Sequence, residues 1–130
     1  MTVGHFLTID PDECRRLLGD ASVGRVSWVS SNGLEVLPVN YVVIGSQVVF
    51  RVGAGSVLAQ LTTPTEVAFE VDDLDQSTAT GWSVLVRGVS GAFDGSPDAP
   101  APAPWAPGVR PVLVAVTPRS WSGRAVSAEE

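Results

Sequence analysis

Val23-Gly24-Arg25-Val26-Ser27-Trp28-Val29-Ser30, then Ser31-Asn32-Gly33, then Leu34-Glu35-Val36-Leu37-Pro38-Val39-Asn40-Tyr41-Val42-Val43-Ile44, is the stretch on which the fold turns. Val23 to Ser30 alternates apolar residues with small or polar ones, as a half-buried strand does. Ser31-Asn32-Gly33 is a turn signal, with a glycine able to take positive φ. Leu34 to Ile44 reads as a second, longer strand. Pro38 lies inside it and cannot donate to a ladder, so it marks a bulge or an edge position. Gly45-Ser46 then turns the chain into a third strand, Gln47 to Val52. Together these runs predict an antiparallel meander.

The pattern changes on both sides. Upstream, Asp10-Pro11-Asp12-Glu13 has the order of a helix start: a capping carboxylate, a proline in the first turn, and an acid three residues after the cap. Cys14, Leu17 and Leu18 then fall on one face, and Gly19 is expected to stop the helix. Downstream, Gly53-Ala54-Gly55-Ser56 leads into a short helix, Val57 to Leu61, ended by Pro64. Glu66 to Asp72 predicts a fourth strand and Asp73 to Thr80 a polar loop. Gly81 to Phe93 predicts a long fifth strand with bends at Gly88 and Gly91. Ser96 to Pro107 is rich in proline and alanine and reads as an irregular connection. Val109 to Thr117 is a sixth strand, and Trp121 to Val126 a last extended piece. Residues 1–9 and 127–130 are expected to be flexible ends. Six short strands with two short helices predict a mostly β (α+β) domain, a sandwich or a barrel.

Composition narrows the chemistry. The chain has 130 residues, 45% of them hydrophobic, which suits one domain with a real core. No signal-peptide pattern or membrane-length apolar run is present, so a cytoplasmic location is expected. Cys14 is the one cysteine and cannot form an internal disulfide, in keeping with a reducing compartment. A formal charge of −6 argues against non-specific nucleic-acid binding. All 8 basic residues are arginine. That excludes a Schiff-base lysine and a P-loop lysine. His5 is the one histidine, which argues against a Ser-His-Asp triad and against an ordinary zinc site.

Two clusters remain as candidates. The strand–loop–helix junction around Arg51, Gly53 and Ser56 offers a guanidinium, a hydroxyl and backbone N–H groups to an anion. Read alone, it is equally an ordinary connection with a solvated arginine. Asp72, Asp73 and Asp75, with Glu70 nearby, lack the glycine and terminal glutamate of a calcium loop, so a solvated loop is expected and no metal site. Trp28, Trp82, Trp105 and Trp121 read mainly as core or interface anchors.

Several segments, taken in order, resemble the pyridoxamine 5′-phosphate oxidase-like superfamily of flavin-binding split β-barrels, in its short bacterial branch. They are Pro38-Val39-Asn40-Tyr41, Val49 to Leu58, Val67 to Asp72, Gly81 to Gly88, and Gly123-Arg124. The resemblance implies a six-stranded antiparallel split barrel and a homodimer with flavin in grooves between subunits. It places Asn40 and Tyr41 along the flavin ring, largely through backbone. It puts Phe50-Arg51, Gly53 and Ser56 at the ribityl phosphate, and Trp82 and Ser83 near the ring. The branch usually has threonine where this chain has Val52, and lysine where it has Val57. FMN is the implied cofactor, with a deazaflavin or no cofactor as alternatives. The implied function is a flavin-dependent oxidoreductase of unknown substrate, with no catalytic side chain assigned. The alternatives are a non-catalytic carrier of a flat ligand and a structural homodimer that has lost its cofactor. No membrane or nucleic-acid partner is expected.

Overall fold

In the computed structural model, which describes residues 3–95 and 112–129, Val26, Val39, Val48 and Val52 of the meander face one interior. The strands are β1 (Val3–Ile9), β2 (Val23–Ser30), β3 (Gly33–Ile44), β4 (Gln47–Val52), β5 (Thr65–Asp75), β6 (Thr80–Ala92) and β7 (Val112–Glu129). One α-helix, α1 (Pro11–Asp20), and a 3₁₀ helix (Val57–Thr62) interrupt them. All neighbouring strands are antiparallel, in the order β1-β7-β4-β3-β2-β5-β6, and β6 also pairs with β7. Strands β2 to β7 therefore close into a ring of six, which leaves their interior dry. Val26 and Trp28, Val39 and Tyr41, Val48, Phe50 and Val52, Val67, Phe69 and Val71, Val84 and Val86, Val114 and Val116 point inward and are buried. β-branched and aromatic side chains suit this half-buried surface. Gly33 (φ 105°) and Gly45 (φ 61°) make the two meander turns, in a region other residues rarely enter.

The ring is split along β7. One edge of β7 pairs with β6 from Val114 to Val126. The other edge is divided, with Val112–Val116 on β4 and Gly123–Glu129 on β1. α1 packs at the gap between them. Its Cys14 sulfur sits where a Cβ on Gly123 would come within 2.7 Å, and its Arg15 guanidinium lies 5.3 Å from the Trp121 ring centre. Asp10 caps the helix, its Oδ1 accepting from the N–H groups of Asp12 (2.9 Å) and Glu13 (3.1 Å). The buried Tyr41 hydroxyl donates to the Leu18 carbonyl, and Tyr41 N–H donates to Ser22 O at 3.0 Å. These bonds fasten the end of α1 to β3.

Several expectations are corrected. The ends expected to be loose are paired, Val3–Ile9 with Gly123–Glu129, because the outer part of β7 would otherwise carry an open ladder. The sixth strand and the last extended piece are one strand, and β1 makes the total seven. Gly19 does not end α1, which runs to Asp20. Gly88 does mark a break: the β6–β7 register shifts there, and a Cβ on it would lie 2.3 Å from Thr117 O. Gly91 pairs regularly with Ala115. Pro38 pairs with Arg25 where β3 has not yet met β4, an edge position without a bulge. The short helix at Val57 is of 3₁₀ type and one residue longer than expected. The proline-rich connection Ser96–Pro107, and Trp105 within it, lie outside the described residues.

The acidic segment is strand, not loop. β5 and β6 stay paired from Thr65↔Ser90 to Asp75↔Thr80, and the ladder overrides the poor strand preference of aspartate. Asp75 then closes the turn by accepting from Ser77 N–H at 2.9 Å. Glu70 and Asp72 face outward, and Arg25 Nη1 reaches both, at 3.2 and 3.5 Å. Burial and the neighbouring Asp72 push the Glu70 carboxyl up to about 7, against the pull of Arg25.

Two outcomes follow from these contacts. Tyr41→Phe leaves the Leu18 carbonyl without its donor, which costs about 1–3 kcal/mol. Urea unfolding should show a lower midpoint with an unchanged slope; an unchanged midpoint means that the clamp contributes nothing. The second concerns Glu70. Between its ordinary value of 4.5 and about 7, the folded chain keeps a proton the unfolded chain has lost. Stability therefore falls as pH rises through that window. Glu70→Gln should flatten the fall in melting temperature across it, and an equally steep fall in the variant contradicts the assignment.

Candidate functional site

Strand alternation decides which side chains around β3 and β4 can meet a ligand. Tyr41 and Phe50 are directly paired and point inward, at 2% and 0% exposure. Their neighbours Asn40 and Arg51 therefore point outward on adjacent strands. Asn40 pairs with Val23 on one side, and Arg51 with Leu113 of β7 on the other. Tyr41 and Phe50 can offer a ligand only backbone. The Tyr41 phenol is committed to the Leu18 carbonyl, and burial raises its pKa further, which removes it as an acid–base group.

β4 ends at Val52, and the chain turns at once. Ser56 N–H donates to Gly53 O at 3.0 Å, which closes the Gly53–Ser56 turn. Ser56 caps the 3₁₀ helix, its Oγ accepting from Leu58 N–H at 3.1 Å. That bond uses a lone pair, so the hydroxyl hydrogen can still be given to an anion. A Cβ on Gly55 would meet nothing within 4 Å, so the turn is open on its outer side. Leu61 is fully buried and anchors the helix, while Trp28 Nε1 donates to Gln60 Oε1 at 2.9 Å from inside the barrel. The 3₁₀ helix has only 6 residues, so its summed dipole is small and the Arg51 guanidinium carries most of the positive charge here. A guanidinium, a hydroxyl and an open turn of backbone fit a phosphate group.

The two departures at Val52 and Val57 are not equivalent. Val52 points into the barrel at 1% exposure, so the missing hydroxyl there takes nothing from the outward turn. Val57 stands at the head of the 3₁₀ helix and is 36% exposed. It is not a core residue, and a longer polar side chain fits at that position.

The other two candidates lie elsewhere on the barrel. Ser83 points outward between Asp72 and Arg124. Trp82 packs on the core and lines a cavity of about 390 Å³ with Leu7, Ile9, Leu17 and Ala125. β4 and β6 both pair with β7, but Arg51 meets it at Leu113 and Ser83 meets it at Arg124, 11 residues further along. At ~3.3 Å per residue that is roughly 36 Å of strand. The structure thus gathers Asn40, Tyr41, Phe50, Arg51, Gly53, Ser56 and Val57, and leaves Trp82 and Ser83 beside the far end of β7 in the same chain. Arg25 was missed in the sequence as the partner of the acidic residues, although the β2 alternation already turned it outward. Among the described residues, no group of three His, Cys, Asp or Glu side chains is placed to hold a metal ion. Among them, too, no helix is long and apolar enough to cross a membrane.

Known proteins share this fold. The FAD binding protein from Mycobacterium smegmatis is 29% identical, with 93% of this chain and 98% of that one covered and a TM-score of 0.75. A conserved protein of unknown function from Corynebacterium diphtheriae is also 29% identical, covering 92% and 97% with a TM-score of 0.74. An uncharacterized protein of Mycobacterium tuberculosis is 33% identical over 91 residues, or 66% of this chain, and the match spans 60% of that relative's length. Residues 10–125 match the family described as pyridoxamine 5′-phosphate oxidase. With a split barrel of six strands and a match over almost its whole length, this chain belongs to the pyridoxamine 5′-phosphate oxidase family.

Proposed function

We propose that the chain binds a flavin nucleotide, with its 5′-phosphate at Arg51 and the Gly53–Ser56 turn, and that it works as a homodimeric oxidoreductase. The observation that carries this reading is the outward Arg51 beside an open, Ser56-capped turn. A relative at 29% identity, covering nearly all of both chains, is an FAD binding protein. FMN is the riboflavin 5′-phosphate half of FAD, so a site that reads this phosphate takes either. FMN is the smaller ligand and needs no further pocket for an adenosine.

Asn40 and the backbone of β3 are positioned to run along the ring. The flavin, when bound, supplies hydride-transfer chemistry, and the protein contributes binding, orientation and exclusion of water. Trp82 and Ser83 lie far from Arg51 along β7, so a ligand flanked by both sets needs two copies of the chain. That is the support for a two-chain groove. The exposed Val57 favours weak retention of the phosphate, and hence a second reading in which the dimer carries its ligand loosely.

Calorimetric titration with FMN, FAD and riboflavin tests the site. A charge-assisted hydrogen bond contributes about 1.5–3 kcal/mol, so Arg51→Ala should weaken FMN and FAD by roughly tenfold or more. Riboflavin, which has no phosphate, should bind the variant almost as well as the parent. Val57→Lys adds an ammonium at an exposed position and should tighten FMN by about tenfold, or ~1.4 kcal/mol. Added salt should shrink that gain. Equal losses for all three ligands in Arg51→Ala place the phosphate elsewhere. Absence of flavin binding in both the parent and Val57→Lys overturns the flavin reading.

A further inference from the structure

Across β1, β7, β6 and β5 the ladders set two successive rows on the face that α1 packs against. The first is Ile9, Gly123, Val84 and Val71; the next is Leu7, Ala125, Trp82 and Asp73. α1 covers the first row, because Gly123 has no side chain and the Cys14 sulfur takes its place. It leaves the second row open. Leu7 is 60% exposed, and between this row and the start of α1 lies the cleft of about 390 Å³ that Trp82 lines. Its walls are aliphatic and aromatic, from Leu7, Ile9, Leu17 and Trp82, and Asp10 and Glu13 stand beside them. Small-molecule sites have this build: apolar walls, a volume of about 300–1,000 Å³ and a few polar groups that fix orientation.

We infer that this cleft binds a small aromatic ammonium ion, with its ring against Trp82 and Leu17 and its charge at Asp10. The charges around the cleft select a cation. Glu13 is matched by Arg16 at 2.5 Å, and Arg15 by Asp12 at 2.7 Å. Asp10 and Asp73 make no ion pair among the described residues. Asp10 accepts the N–H groups of Asp12 and Glu13 on one oxygen, Oδ1, and so keeps Oδ2 for a ligand. Asp73 stands next to Trp82 and ends its row. Arg124 belongs to the row of Thr8, Ser83 and Asp72, which strand alternation turns to the opposite face. An indole ring attracts an ammonium to its negative π face, and the net charge of −6 favours a cation over an anion. The apolar walls then require a ring as well as a charge, since an inorganic cation leaves them unfilled. The cleft meets β7 at Ala125 and Arg51 meets it at Leu113, so the inference does not rest on the flavin reading.

Calorimetric titration with phenethylamine, a cation at neutral pH, tests this against two probes with the same ring, phenethyl alcohol and hydrocinnamate. The ammonium should bind about three- to fivefold more tightly than the alcohol, as one partly exposed ion pair allows. Hydrocinnamate should be the weakest, and added salt should narrow the gap between ammonium and alcohol. The indole N–H resonance of Trp82, identified by its loss in Trp82→Phe, should move on binding. Asp10→Asn keeps an oxygen for the helix cap and should bring the ammonium down to the affinity of the alcohol. Leu7→Lys puts a like charge on an exposed wall of the cleft and should weaken the ammonium by roughly tenfold. Its melting temperature should stay within a few degrees of the parent's. Equal affinities for the three probes overturn the choice of a cation. An unmoved Trp82 resonance, or parental affinity in Leu7→Lys, overturns the cleft. No saturable binding of phenethylamine overturns both.

Discussion

Strand β7 has two edges and three partners. β6 takes one edge, and β4 and β1 divide the other, with α1 packed at the break between them. The rest of the structure depends on that division. The β6–β7 pairing closes the ring and so gives every other strand an inside and an outside. It is this closure that turns Tyr41 and Phe50 inward and Arg51 and Asn40 outward. The break admits a helix instead of a seventh barrel strand. The helix is then held by one sulfur against one glycine and one phenol on a carbonyl.

The site has a local part and a distributed part. Arg51 to Ser56 is six consecutive residues, and its geometry follows from a strand end, a turn and a cap. The turn and its cap need no distant contact, while the outward direction of Arg51 comes from the pairing of β4 with β3 and β7. Trp82 and Ser83 join it only in the proposed pairing of two chains. The energetics point the same way. A 3₁₀ helix of this length adds little field, and Val52 is lost to the interior, so the groups here that a phosphate would meet are Arg51 and the Ser56 hydroxyl.

What could be read in the sequence follows this same line between local and distant. Alternation from Val23, the glycines at 33 and 45, and the Asp10 cap each act within a few residues, and β2 to β4 and α1 form where they were expected. β1 could not be read this way. Its partner lies at the opposite end of the chain, at residues 123–129, and Gly4 and Thr8 blur its alternation. The acidic run Asp72–Asp75 is strand because β6 supplies the ladder, which overrides the preference of the residues themselves. Gly19 remains helical although glycine signals a stop, and the Leu18 carbonyl just before it accepts from Tyr41. The Arg51 turn was legible for the reason that it is contiguous. The separation of Ser83 from Arg51 was not, because it depends on where β4 and β6 each meet β7 along its length.

The seating of α1 has a chemical consequence. Cys14 is the one thiol of the chain; it is fully buried, and its Sγ donates to Ile9 O at 3.6 Å. Burial pushes its pKa up, so the reactive thiolate is scarce. The space beside the sulfur is too small even for the Cβ of an alanine at 123, and an added oxygen atom is no smaller. Oxidants and alkylating reagents therefore reach this sulfur only when α1 lifts from the barrel. The rate at which the thiol is labelled is then a direct measure of how often the split opens.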